Sequence, residues 1–305
     1  FSHLDPSFRN KNWSYKIKFK SKQEGNIFGM REFSLMDIRR RGYILEWYAR
    51  QFLKSEDLIY LDYKFVNLFF NGENKGIYAM DESFTESMLT KNNRRSGLGL
   101  RFDNDDAGTS ENMSTYYANI MGAAYDNLFM ISEIDLLNDS IESYKLNNKN
   151  QNDLDDTNIL KTDKIKIRDF NIASELLIKF RDQEINAEYI FDIDQLAKGF
   201  AASDILAGWH GINWTNLSFY FNPISSKLEP IFQDWYNEGF EIQKNNNYRG
   251  IRILDVYNHG IFYENIFKSR NFLEKYFYYL HKYTDEDYLK NFDKKINKEL
   301  NINLN

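Results

Sequence analysis

Two side chains in the stretch from Ala201 to Tyr236, AASDILAGWHGINWTNLSFYFNPISSKLEPIFQDWY, have types and spacing suited to holding a cation: Asn216 and Asp234. Asn216 opens an aromatic strand, the chain turns through Asn222-Pro223, and a second strand, KLEPIF, delivers Asp234 at its end. A two-stranded ribbon whose ends meet places an amide oxygen and a carboxylate around one position, a hard-oxygen pair of the kind divalent cations take. The same pattern also describes a plain hairpin with a polar end.

The elements that must position this ribbon read as follows. Trp13 to Phe19 alternates as a strand with Lys16 and Lys18 on one face. Ile27 to Leu35 reads as a second strand with Arg31 near its middle. A lysine or arginine on such a ribbon either binds phosphate or lies on a solvated face. Tyr43 to Leu53 repeats its apolar positions at helical spacing. Arg39, Arg40 and Arg41 precede it, where the helix dipole disfavours cations, so they either pair with carboxylates or help hold a ligand's phosphates. Glu46 lies four residues before Arg50, the spacing of a local helix pair. Tyr63 to Phe70 and Gly76 to Met80 form a hairpin around Asn71-Gly72 that ends in Asp81-Glu82. A helix over Thr85 to Asn92 and a strand over Leu98 to Phe102 follow. Asp103, Asp105 and Asp106 superficially suggest calcium but lack the spacing and closing Glu of a helix-loop-helix site.

Residues 138–166 are rich in Asn, Asp and Lys and read as an exposed insertion or loop between two lobes. Beyond it, Asn171 to Arg181 and Ile193 to Leu206 read as helices, the latter capped by Asp192 or Asp194. Phe262 to Phe267, Asn271 to His281 and Asp285 to Leu300 make a helical tail, with Thr284 as cap of the last helix and Asp287 as its boxing partner. The chain thus divides into a strand-rich N-terminal lobe over residues 1–137, a polar segment over 138–170, and a mainly helical C-terminal lobe over 171–305 that carries the ribbon. That order is α+β with a cleft expected between two unequal lobes.

Composition narrows the function classes. The 305 residues are 42% hydrophobic and 17% aromatic, with 25 Phe and 21 Tyr, which favours a folded chain. A net charge of −6 argues against a general nucleic-acid binder. Cysteine is absent and only four His are present, so disulfides and thiolate sites are excluded and a poly-His zinc centre is disfavoured. No window approaches about eighteen uninterrupted apolar residues, so no transmembrane segment is expected. A start at Phe1 rather than Met is the expectation for a processed product. Neither GxxxxGK[ST] nor a helix-opening GxGxxG occurs, so a nucleotide would have to be held in another way.

These residues resemble the spore-coat CotH kinase family, secreted bacterial relatives of the protein-kinase-like fold. The resemblance runs through Trp13-Ser14-Tyr15-Lys16-Ile17-Lys18, Gly29-Met30-Arg31-Glu32-Phe33-Ser34-Leu35, Arg41 with Glu46-Trp47, and Val66…Asn71-Gly72…Gly76-Ile77-Tyr78…Glu82. It resumes at Asp204-Ile205-Leu206 and the WHGINWTN…FYFNP…KLEPI…D block, covering about four-fifths of the chain, and weakens through the C-terminal helices. It implies a two-lobed atypical kinase-like fold whose early ribbons cover the nucleotide, with ATP and Mg²⁺ or Mn²⁺ as cofactors. It also implies transfer of the terminal phosphoryl group to a hydroxyl on a protein or surface-polymer acceptor, and a secreted, periplasmic or cell-surface setting. Carried over residue by residue, Asn216 and Asp234 look like the metal ligands and Lys18 or Arg31 like the basic group facing phosphate. Glu46 resembles its helix-borne carboxylate partner, and Glu82 lies near the adenine-side edge.

One departure bears on activity. The family carries an Asp shortly before the metal-binding Asn, whereas Gly208 to Thr215, GWHGINWT, contains no carboxylate. His210 is the ionisable residue there, and it either acts as the base, since imidazole titrates near neutrality, or serves as a structural hydrogen-bonding group. The family's closing Asp-x-Asp is likewise reduced to one carboxylate in Asp234-Trp235-Tyr236. The competing expectations are therefore a metal-dependent kinase with His210 and Asp234 as its catalytic residues, and a non-catalytic kinase-like binding module. A hydrolase built on His210 and Asp234 is the third, and it lacks a nucleophile elbow.

Overall fold

A computed structural model of the chain describes residues 13–19, 25–102, 134–136, 161–206, 208–213, 216–235 and 261–304. The expected aspartate cluster at 103–106 and residues 138–160 of the polar segment lie outside these residues. The strands are β1 (Tyr15–Lys18), β2 (Glu32–Asp37), β3 (Tyr63–Phe70), β4 (Glu73–Glu82), β5 (Leu98–Phe102), β6 (Ile134–Leu136), β7 (Ser218–Asn222) and β8 (Lys227–Ile231). The α-helices are α1 (Leu45–Ser55), α2 (Glu86–Lys91), α3 (Lys161–Arg181), α4 (Ala187–Ile190), α5 (Ile193–Ile205), α6 (Ile261–Phe267), α7 (Arg270–Thr284) and α8 (Glu286–Leu304). Short 3-10 helices cover Ile38–Arg41 and Trp209–Ile212. The N-terminal region is mixed α+β and the C-terminal region largely helical, a coarse two-lobed α+β architecture.

The first sheet is antiparallel in the order β1-β2-β4-β3. Its register aligns Lys16 with Ser34, Ser34 with Asp81, and Asp81 with Tyr63. Cross-strand partners share a face, so this polar row and Lys18 lie on one side of the sheet. The helix α1 packs on that side: the rings of Trp47 and Phe65 lie 6.4 Å apart, and Arg50 reaches Asp81. The opposite face carries a separate cluster of Met30, Phe33, Leu35, Tyr78 and Met80.

The second sheet, β6-β5-β7-β8, joins strands from both sides of the polar segment, because β5 pairs with β7. Around it the main core gathers residues of α1, α3, α5, α7 and α8, including Phe52, Phe180, Phe200, Phe219, Tyr276 and Tyr283. Gly199 on α5 lets Phe232 approach so closely that a Cβ there would meet the ring at 1.9 Å. At the end of α1, buried Glu56 accepts hydrogen bonds from Lys282, Tyr283 and Tyr288, which ties that helix to α7 and α8.

Three boundaries differ from the sequence expectation. Phe28 and Gly29 both take positive φ, and Ile27 and Met30 exchange backbone hydrogen bonds across them. That tight turn sits inside the stretch read as a strand, so β2 begins only at Glu32 and Arg31 lies at the bend before it. The helix α3 begins at Lys161 rather than Asn171: residues 161–181 contain neither Gly nor Pro, and their polar start does not break a helix. The cap of α8 is Asp285, whose Oδ1 accepts from the Tyr288 N–H at 2.9 Å, while the Thr284 hydroxyl donates back to Leu280 O.

Candidate functional site

Asp234 stands just beyond the paired end of β8 with φ 59°, in the left-handed region that a non-glycine residue rarely adopts. A carboxylate from α1 holds it there. Glu46 accepts the Asp234 N–H at 3.1 Å on Oε1 and the Trp235 N–H at 2.7 Å on Oε2. Glu46 is wholly buried, and Arg50 balances its charge through Nε and Nη2, each 2.8 Å from Oε1. Arg50 Nη2 also lies 3.5 Å from Asp81 Oδ1. Burial pushes the Asp81 carboxyl above its ordinary range, against the pull of Arg50 and Arg41.

The 3-10 helix Ile38–Arg41 brings a second guanidinium to this centre. Asp37 caps that helix, accepting the Arg39 N–H at 3.0 Å, and binds the Arg39 side chain as well. Arg41, two residues on, pairs with Asp234 Oδ1. Beyond that ion pair, the buried oxygen has no hydrogen bond among the described residues. The Tyr63 hydroxyl and Asp81 Oδ1, on the neighbouring row of the sheet, are likewise buried without a hydrogen bond among the described residues.

His210 closes the other side. Its Nδ1 is 2.8 Å from Asp234 O and 3.6 Å from Asp234 Oδ2. A carbonyl only accepts, so Nδ1 carries the proton and Nε2 the lone pair when the ring is neutral. Burial, helped by Arg41, lowers its pKa to about 4, which makes the neutral ring the resting form near pH 7. Asn216 donates its amide Nδ2 to His210 O at 3.0 Å, so it is linked to Asp234 through that residue. The glycines of the Gly-Trp-His-Gly corner have a steric role. A Cβ on Gly208 would lie 2.1 Å from Trp235 Cε3, and one on Gly211 3.2 Å from Gln233 O.

His210, Asn216, Asp234 and Glu46 are thus joined in one network, and the remaining expected site residues lie elsewhere. Lys18 Nζ is 3.6 Å from Glu32 Oε2, beside Lys16 at 2.7 Å from Oε1. Arg31 is half-buried at its bend. Glu46 engages Arg50, one helical turn away, and the backbone of Asp234 and Trp235. Glu82 is not brought to Asp234. It faces away from the Asp81 side of the sheet, accepts the Asp62 N–H at 2.8 Å and pairs with Lys91. The sequence offers Arg41 as a carboxylate partner or a phosphate holder, pairs Arg50 locally with Glu46, and does not single out Asp81. The Arg39–Arg41 run was the signal for the first, and the four-residue Glu46–Arg50 spacing for the second.

Among the described residues no three His, Asp or Glu side chains converge as a protein-only metal site. Asp234 and Asn216, joined through His210, each carry a side-chain oxygen of the hard type that Mg²⁺ or Mn²⁺ takes alongside phosphate oxygens and water. No helix among the described residues is long and apolar enough to cross a membrane. No family model matches this sequence, and no curated protein compared with it matches either.

Proposed function

We propose that the chain is a CotH-like phosphotransferase of kinase-like fold that moves the γ-phosphoryl group of ATP to a hydroxyl on a protein or surface polymer. The observation that carries this reading is the clamp of Glu46 on the backbone of Asp234 and Trp235. It connects the helix on the strand-rich sheet to the carboxylate at the ribbon end and projects that carboxylate from a left-handed residue. Strained backbone fixed by surrounding contacts is a feature of ligand sites. In this reading Asp234 and Asn216 hold Mg²⁺ or Mn²⁺, which supplies charge neutralisation for the transferring phosphoryl group. Glu46 keeps Asp234 in place, and Arg41 opposes phosphate charge. The acceptor oxygen bonds to the γ-phosphorus as the bond to the β–γ bridging oxygen breaks. The hydroxyl proton goes to His210 Nε2, and ADP leaves. The family resemblance adds a secreted or surface setting to the same proposal.

A second reading, a kinase-like module that binds without transferring, draws on two observations. Arg41 already neutralises Asp234, and the carboxylate the family places before its metal-binding Asn is replaced by His210, whose ring hydrogen-bonds to Asp234 O through Nδ1. Incubation with γ-labelled ATP and Mg²⁺ or Mn²⁺ separates the two. Label transfer that collapses in Asp234→Ala supports the phosphotransferase. Tight nucleotide binding with no transfer over a broad acceptor set supports the module, and equal transfer by wild type and Asp234→Ala sinks the assignment of Asp234.

A further inference from the structure

The site holds two arginines of different standing. Arg50 is 2% exposed and locked to Glu46, whereas the Arg41 and Asp234 side chains are each 24% exposed. Arg41 is therefore the cation able to change partner. It is the ion-pair partner of the buried Asp234 Oδ1, which has no hydrogen bond among the described residues.

Resting on the metal reading of Asp234, we infer that Arg41 is the resident counter-cation of this centre and makes a divalent cation bind there only together with a polyphosphate. A divalent ion arriving alone must displace a guanidinium from Asp234 and then face it at short range, where like charges repel strongly in a partly buried setting. Among the described residues it would have Asp234 and Asn216 as its protein ligands, short of a full shell. A polyphosphate removes both obstacles. Its oxygens complete the coordination, and its negative charge gives the planar guanidinium a bidentate partner in exchange for the carboxylate. Each ligand then raises the affinity of the other by the same factor.

Mn²⁺ binding, read from the electron paramagnetic resonance signal of the free ion with and without a non-hydrolysable ATP analogue, tests this on the whole chain. In the wild type the analogue tightens Mn²⁺ by at least about tenfold, within the usual range of coupling between sites. In Arg41→Gln, Mn²⁺ alone binds about tenfold more tightly and the coupling falls by about the same factor, leaving the share that comes from the completed coordination shell. If Arg41→Gln keeps wild-type Mn²⁺ affinity and coupling while Asp234→Asn abolishes binding, the inference is wrong and the metal reading stands. If Asp234→Asn leaves Mn²⁺ binding unchanged, or no Mn²⁺ binds with the analogue present, both fall. Should Arg41→Gln fail to fold by circular dichroism, Arg41→Lys decides. Retained coupling with analogue affinity several-fold weaker, from loss of the fork, is expected, and unchanged analogue affinity overturns the role of Arg41.

Discussion

The Trp235 backbone N–H donates to Glu46 Oε2 at 2.7 Å across 189 positions of sequence. With the parallel bond from Asp234, it makes one buried glutamate the link between α1 and the end of the ribbon. The carboxylate is held by Arg50 on the same helix, so the link depends on a charge pair out of water as well as on two hydrogen bonds. Breaking one partner of such a pair is costly because the other charge stays buried.

Glu46→Gln therefore destabilises the chain by about 3 kcal/mol, and Arg50→Met by a similar amount. The double variant recovers part of the loss, since no lone charge remains. Urea unfolding of the two single variants and the double measures this as a coupling. Additive losses would mean that Glu46 acts through its backbone acceptors alone.

His210 gives a spectroscopic prediction. Its folded pKa of about 4 lies below the ordinary 6.5, so the imidazole stays neutral through pH 5 to 8 and its ring resonances move only near pH 4. The sign for stability follows. The neutral ring contributes fully above pH 6.5, and that contribution is lost as pH falls through about 4. Arg41→Gln removes a neighbouring positive charge and raises the midpoint. A His210 resonance titrating near 6.5 would show that the ring is not buried against Asp234.

Asp204 titrates in the opposite sense. Burial raises its carboxyl from 3.8 to about 6, with the Tyr276 hydroxyl donating to it and opposing the rise. Its protonated form stabilises the fold fully below pH 3.8, and the contribution is lost as pH rises through about 6. Asp204→Asn keeps an acceptor for Tyr276 without the buried charge. It should gain up to about 3 kcal/mol over the wild type at pH 7 and nothing at pH 4. Melting temperatures across that range check it, and an equal effect at both pH values would contradict it.

Gly208→Ala tests the corner that carries His210. The added Cβ would fall 2.1 Å from the Trp235 ring, in a buried setting where an extra methyl costs about 1–3 kcal/mol. The expected result is a lower melting temperature together with a shifted Trp235 environment. Gly25→Ala meets no atom within 4 Å, so its loss is confined to backbone strain at φ 87°.

The sequence makes some of this legible and leaves the rest to tertiary structure. Tyr63–Phe70 and Leu98–Phe102 are plain from strand composition and bounding turns, and the observed strands match them. Asp192 accepts the Asp194 and Gln195 N–H groups as one of the two expected caps. The early second strand misleads because Phe28 is an apolar residue in a turn, which hides the turn from a reading by hydrophobic alternation. At the site, the short range of an (i, i+4) pair exposes Glu46 with Arg50, and the ribbon exposes Asn216 and Asp234. Arg41 and Glu46, which reach Asp234 from the N-terminal region, arrive by packing of distant segments and leave no local periodicity to read.

The pairing of β5 with β7 bears on the order of events in folding. Residues 98–100 find their partners at 219–221 only after a long chain segment has been closed, an entropic cost met before any strand contact is gained. The Glu46 clamp spans a greater separation still and forms at the edge of that sheet's last strand. The centre around Asp234 is therefore a late product of folding. Halves of the chain divided within 138–160 would each lack it, and mixing the two halves is the route by which it could be rebuilt.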